Sequence, residues 1–408
     1  MMIKLSREKI SSALALLTAI TGLFSSAASI GNECNPENSI AYKQLIKYGV
    51  TVSKNTQMDF GRLRVSSPCY LEAWPENTKA VSDIVKIAYS YNIPIRTQGG
   101  AHSENGSSLP KKLELLIHTS QLKTVSFDHL NSLTAGAGIP IAYLKLYVSD
   151  QTSYFIPVAN GGGIGPTVGG FISAGGMNES SEYYGGFWEN VDSVTLVTGE
   201  GKVQTINRDN PIFRYLFGSM GQLGVITQAE LRLLPRVSKP YQFTLGATEQ
   251  FTFPITDGSF WKKEKFIKPV YWLNLLIEPA RLAEARRDLS NLQKKYPHAM
   301  LYMPIYQWSI TFFNFTPPLI YDKRQNFYAT GIWGTQSIHP DSQEQLQKLN
   351  SEFNQLVLSK KYKRYIQAEP AGSPELYKLY FPADTYNQFR RIKSALDPKF
   401  LFNKGSVF

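Results

Sequence analysis

Apolar positions in the first half of the chain alternate between helical and strand spacing. After Asn77, residues Ala80, Val81, Ile84, Val85 and Ala88 fall three and four apart, which predicts an amphipathic helix capped by the Asn77 side chain. The helix leads to a short apolar strand, Ile93-Pro94-Ile95, and then to a loop of small residues. Leu113 to Ile117 is a continuous apolar run, the mark of a buried strand. Thr124 to Ala135 predicts two strands around Asp128-His129-Leu130-Asn131, and Ile141 to Tyr147 a helix. Ser193 to Ile206 predicts a hairpin turning at Gly199-Glu200-Gly201. Helices alternate with strands, so the fold class is α+β. A doubly wound dinucleotide fold lacks its signature here. Gly136-Ala137-Gly138 has no third glycine, and Gly218, Gly221 and Gly224 are wrongly spaced for G-x-G-x-x-G.

After Pro235 the pattern changes. Residues 238–375 are rich in Tyr, Phe and Trp, with Trp261, Trp272, Trp308 and Trp333 all in this stretch. An aromatic core beneath a sheet accounts for most of them; a cap over a flat substrate needs only two or three. The 408 residues exceed what one core usually accommodates, so two packed units are expected. With 43% hydrophobic and 13% aromatic residues, the chain is globular rather than disordered.

The net charge is +11, of which Lys4, Arg7, Lys9 and Glu8 contribute little, leaving about +9 after residue 29. The basic residues are scattered, so no nucleic-acid partner is expected; an anionic ligand would absorb part of the charge. The N-terminus reads as a signal peptide over residues 1–29: basic residues, an apolar stretch from Ala13 to Phe24, then small residues from Ser25 to Ser29. The stretch is short for a membrane span, so a secreted or periplasmic protein without stable membrane insertion is expected. The alternative is an uncleaved anchor. In an oxidising compartment the only two cysteines, Cys34 and Cys69, could pair. No metal site is expected, since none of the five histidines has ligand spacing with them.

The most chemical segment is Arg96-Thr97-Gln98-Gly99-Gly100-Ala101-His102-Ser103-Glu104-Asn105-Gly106. Its glycines let backbone N–H groups approach an anion closely, and His102 among them could act as a nucleophile toward an electrophilic cofactor carbon. Alone, the segment could equally be a polar loop with an exposed histidine. Further small-residue segments follow in order: Gly165-Pro166-Thr167-Val168-Gly169-Gly170, Ser173-Ala174-Gly175-Gly176, Gly218-Ser219-Met220-Gly221-Gln222-Leu223-Gly224-Val225-Ile226-Thr227, and the C-terminal Leu396-Asp397-Pro398 with Asn403-Lys404-Gly405-Ser406. Together they resemble the flavin domain of FAD oxidoreductases of the vanillyl-alcohol oxidase and p-cresol methylhydroxylase type. Tyr271-Trp272-Leu273-Asn274-Leu275 is similar to the Trp-Leu-Asn-Leu segment of cytokinin dehydrogenases.

The resemblance implies a two-domain architecture: an FAD domain of two α+β subdomains over 30–237, an inserted substrate cap with an antiparallel sheet over 238–375, and a C-terminal segment, 376–408, returning to the FAD domain. It implies FAD joined covalently through His102. Gly99, Gly100, Ala101, Ser103 and Ser107 would meet the pyrophosphate, Thr167 and Ser173 would lie along the flavin, and Val225 and Ser406 complete the set. Ala101 departs from the usual glycine. His118 and His129 read as structural or surface residues. Gly165 stands where some relatives carry a second linking cysteine, so at most one covalent bond is implied. Gly162 stands where cytokinin dehydrogenases carry their catalytic aspartate, which leaves the proton acceptor open among Glu179, Glu182 and a tyrosine. The implied activity is hydride transfer from an amine or alcohol carbon to flavin N5, with oxygen or a quinone as electron acceptor. The alternatives are a carbohydrate or alcohol oxidase of the same superfamily and a flavin-binding protein without turnover.

Overall fold

The computed structural model describes residues 34, 36, 39–160, 165–236, 248–250, 270–301, 305–368 and 378–405. The signal segment, Gly162, Trp261 and Ser406 lie outside the described residues.

Among the described residues, four sheets organise the chain. The first has the order β1 (Thr51–Ser53), β2 (Tyr70–Ala73), β4 (Leu115–His118), β3 (Ile95–Gln98), with β4 parallel to both neighbours. The helix Thr78–Ser90 crosses over between β2 and β3, its first turn capped by Asn77 Oδ1, which accepts from Ala80 N at 2.9 Å. Its apolar stripe, Val81, Ile84, Val85 and Ala88, packs on Leu71, Ile95, Leu115 and Ile117, the inner residues of this sheet. Cys34 and Cys69 are joined by a disulfide, Cα–Cα 5.4 Å, just before β2.

The second sheet is antiparallel throughout: β12 (Thr248–Gln250), β5 (Thr124–His129), β6 (Ser132–Gly136), β10 (Val225–Arg232), β8 (Val191–Val197), β9 (Val203–Asn207). A two-stranded ribbon joins β7 (Tyr154–Phe155) to β11 (Leu234–Pro235). The last sheet is antiparallel in the order β13 (Val270–Ile277), β15 (Phe327–Thr335), β14 (Ile305–Ile310), backed by the helices Leu282–Lys295 and Ser342–Lys360. The α+β class and antiparallel cap sheet are those expected. Among the described residues two hydrophobic cores result, one beneath the first sheet and one running continuously from the six-stranded sheet into the β13–β15 layer.

The C-terminal helix, Ala383–Leu396, brings the tail back to the first sheet. Buried Lys393 donates from Nζ to Asp397 Oδ2 at 2.6 Å, to Gln222 O at 2.6 Å and to Phe402 O at 2.9 Å. Asp397 in turn accepts from the Leu401 and Phe402 N–H groups. Phe402 is fully buried in the first core and bridges Ile95.

Three boundaries differ from the expected ones. The strand expected at Ile93-Pro94-Ile95 is Ile95–Gln98, because Pro94 has no N–H to pair and Asn92 turns the chain at a φ of 54°. The strand expected from Leu113 begins at Leu115, Leu113 being left-handed with a φ of 66°. The helix expected to stop at Tyr147 continues to Gln151.

Candidate active site

Strand β3 carries two polar side chains inward, and these fix the loop that follows. Arg96, 1% exposed, is held in a fork by Glu114, Nε to Oε2 at 3.0 Å and Nη2 to Oε1 at 2.9 Å, and donates from Nη1 to Ser107 O at 3.1 Å. Gln98 donates from Nε2 to Gln57 Oε1 and to Ser108 O, both at 3.1 Å. Beyond it, Ser103 Oγ donates to Asn105 Oδ1 at 2.6 Å, which also accepts from Ser107 N at 2.9 Å. The loop is thereby closed before any ligand is considered.

Two glycines are required by close approach. A Cβ on Gly99 would stand 2.3 Å from Thr167 Oγ1, and one on Gly165 would stand 2.1 Å from His102 Cδ2. Thr167 caps the helix Val168–Ala174, accepting from Gly170 N at 3.3 Å. Ala101 adopts a φ of 54°, the left-handed region where a glycine costs least. The His102 ring stacks on Phe60, centroids 3.8 Å apart, and its Nε2 is buried without a hydrogen-bond partner. Burial pushes the imidazole down to about 4, so it is neutral and has a lone pair available at physiological pH.

A cavity of about 460 Å³ opens over this loop. Nine of the residues named from the sequence line it together: Gly99, Gly100, Ala101, His102, Ser103, Ser107, Thr167, Ser173 and Val225. Asn403, from the returning tail, joins them, and its side chain donates to Met220 O. The opposite wall comes from β13–β15 and the segment after them: Trp272, Tyr306, Trp308, Trp333 and Tyr365. There the Tyr306 hydroxyl accepts from Trp272 Nε1 at 2.5 Å and from Asn274 Nδ2. Trp272 meets Tyr365 edge-on at 5.5 Å. Burial raises the Tyr306 and Tyr365 hydroxyls above the ordinary tyrosine range.

Of the carboxylates weighed from sequence, Glu179 lies exposed at the cavity rim and Glu182 is exposed away from it. A third carboxylate, Glu104, stands in the histidine loop itself. It lines the cavity at 4% exposure, Oε2 without a partner, and burial followed by the charge of Asp59 pushes its carboxyl up to about 8. The signal that could have found it is a single charge in a loop otherwise made of small and neutral residues. Phe60 and Gln367 reach the site only through the fold; Gln367 donates from Nε2 to His102 O at 3.1 Å. His118 is buried against Trp74 and Glu72, and His129 is exposed. Outside the cavity lining, His298, His339 and Asp341 come together with donor atoms within 4.8 Å of one another, a set not apparent from spacing.

The lining fits a flavin nucleotide: a small-residue wall the ring and phosphates can approach, an orphaned imidazole nitrogen, and a facing aromatic wall. Comparison with known proteins agrees. Residues 71–207 match the family model described as an FAD binding domain. Cytokinin dehydrogenase 3 of Arabidopsis thaliana is 25% identical over 202 residues, 48% of this chain and 38% of the relative. D-lactate dehydrogenase of Archaeoglobus fulgidus is 28% identical over 171 residues, 40% of this chain and 38% of the relative. The mitochondrial D-2-hydroxyglutarate dehydrogenase of Danio rerio is 31% identical over 176 residues, 40% of this chain and 32% of the relative. The matched part of this chain thus spans less than two fifths of each relative's length.

Proposed function

We propose that this chain, whose residues 71–207 match an FAD binding domain, is an FAD-dependent oxidoreductase of the vanillyl-alcohol oxidase type that oxidises a carbon bearing an amine or hydroxyl on a flat substrate without a carboxylate, a cytokinin-like compound being the leading case. Bound FAD supplies the two-electron acceptor. The observation that carries this reading is the cavity's composition. One wall is the histidine loop and the other is aromatic, and no Lys or Arg lines it among the described residues. A substrate carboxylate would enter such a pocket unpaired, at a cost of several kcal/mol. The hydroxy acids named in two of the relatives therefore fit poorly, whereas a ring stacked between Trp272 and its neighbours fits well.

Attachment of the FAD through His102 is part of the proposal, supported by the partnerless Nε2. Gly165, pressed against the ring, leaves no place for a second linking side chain. Export is also proposed, supported by the Cys34–Cys69 disulfide, with oxygen or a quinone as the final electron acceptor. The second reading, an alcohol or carbohydrate oxidase, is favoured by the lack of an aspartate at Gly162.

Anaerobic mixing with N6-isopentenyladenine, a primary alcohol, a sugar and D-lactate decides between them. Bleaching of the flavin by the adenine derivative is expected, and none by D-lactate. Rapid bleaching by D-lactate would refute the reading; bleaching by the sugar or alcohol alone selects the second one.

A further inference from the structure

Oxidation of an amine or alcohol carbon removes a proton as well as a hydride, and the proton needs an acceptor within hydrogen-bond reach. The cavity holds one buried carboxylate suited to this. Glu104 is 4% exposed, lines the cavity with Trp272, Tyr306 and Tyr365, and has an Oε2 with no hydrogen-bond partner. Both flanking residues are pinned. Ser103 O accepts from Phe60 N at 3.1 Å, and Asn105 Nδ2 donates to Ile366 O at 3.1 Å, one residue beyond Tyr365. The carboxylate is therefore held at the seam between the histidine loop and the aromatic wall. Glu179, the other lining carboxylate, is exposed.

We propose that Glu104 is the catalytic proton acceptor of this site. The inference rests on the amine or alcohol oxidation proposed above. In the step, the substrate C–H bond breaks with its electron pair leaving as hydride to the flavin. The N–H or O–H bond breaks with its proton passing to Glu104 Oε2, and a C=N or C=O bond forms. The substrate would lose two electrons, which bound FAD would accept. A desolvated carboxylate is a stronger base than one in water, because burial disfavours its charged form.

Burial is the main cause of the raised Glu104 carboxyl; Asp59 adds to it by like charge, and Arg64 moderates Asp59. Tyr306 and Tyr365 feel its charge in return, with Arg364 acting on Tyr306, and His102 beside it is neutral. With the carboxyl near 8, the active form is the deprotonated one, so reduction should slow tenfold per pH unit below about 8 and level off above it.

The test uses the flavin-loaded protein and Glu104→Gln, with Glu104→Asp as the variant that keeps the charge. In anaerobic stopped flow with whichever compound bleaches wild type fastest, Glu104→Gln should slow flavin reduction on the order of 10²-fold or more. Its acid limb should vanish, half-saturation should stay near the wild-type value, and Glu104→Asp should recover part of the rate. Infrared titration without substrate gives a readout independent of turnover. A protonated-carboxyl band should disappear as pH rises through about 8 in wild type and be missing from Glu104→Gln. Wild-type reduction rates in Glu104→Gln, or a band titration unchanged by the substitution, would overturn the assignment while leaving the proposed activity standing. A wild type bleached by no compound in the panel would remove the activity reading and this assignment with it.

Discussion

The two walls of the cavity are built by opposite means. On the histidine-loop side the backbone does the shaping. Gly99 touches Thr167, Gly165 touches His102, and Ala101 holds a left-handed turn, so a single methyl group decides whether the wall exists. On the β13–β15 side the side chains do it. Trp272, Tyr306 and Tyr365 hold one another by ring contacts and by the Trp272 and Asn274 donors on the Tyr306 hydroxyl. A wall made of backbone tolerates almost no substitution but positions a large invariant ligand. A wall made of side chains can change its shape, which suits the partner that varies between enzymes, the substrate.

That contrast can be broken most severely at Gly165. Gly165→Ala drives a methyl group against the edge of the His102 ring, 2.1 Å from Cδ2, and loss of most of the bound flavin is expected, read from the visible spectrum of the purified protein. His102→Ala should keep the fold but release its flavin on acid precipitation, whereas wild type should retain it. If Gly165→Ala holds flavin at the wild-type ratio, the backbone-built description of this wall is wrong.

A smaller effect, confined to the first sheet, is expected from the disulfide. Replacing Cys34 and Cys69 together by serine opens a link across a sequence separation of 35, worth about 4 kcal/mol in denaturant unfolding. On the aromatic wall, Tyr306→Phe leaves the Trp272 and Asn274 donors unpaired and should cost about 1–2 kcal/mol. It should raise substrate half-saturation without loosening the flavin; flavin loss instead would show that the walls are not independent. The smallest expected change is a gain. Ala101→Gly relieves a φ of 54° and should stabilise the protein by about 0.5–1 kcal/mol, with flavin content unchanged.

Stability should also report the buried carboxyl. Burial pushes the Glu104 carboxyl up to about 8 in the fold, against about 4.5 in the unfolded chain, so the folded state holds its proton more tightly. Its contribution is full below about 4.5 and declines as pH rises to about 8. Glu104→Gln should therefore flatten the fall in melting temperature across that window. An equally steep fall in the variant would assign the effect to other groups, Asp59 first among them.

The histidine-loop wall was largely legible in the amino-acid sequence, because a backbone that must approach a ligand closely demands small residues at consecutive positions. Gly99, Gly100, His102, Thr167 and Ser173 announced themselves in this way, and all line the cavity. The helix after Asn77, the strands around Asp128 to Asn131 and the hairpin at Gly199 to Gly201 were equally legible from local periodicity. Strand β3 was partly hidden, since Arg96 and Gln98 are polar and only the partners Glu114 and Gln57, far along the chain, make their burial tolerable. The aromatic residues were visible as a composition, but which of them face the cavity depends on the register of β13, β14 and β15. Glu104 shows the division most clearly. Its place in the loop is local, whereas its burial, its neighbours Tyr306 and Tyr365 and its raised carboxyl arise from packing against residues some two hundred positions away. Backbone demands are written locally because each residue sets its own φ and ψ; desolvation is a property of everything around a group, and only the assembled tertiary structure decides it.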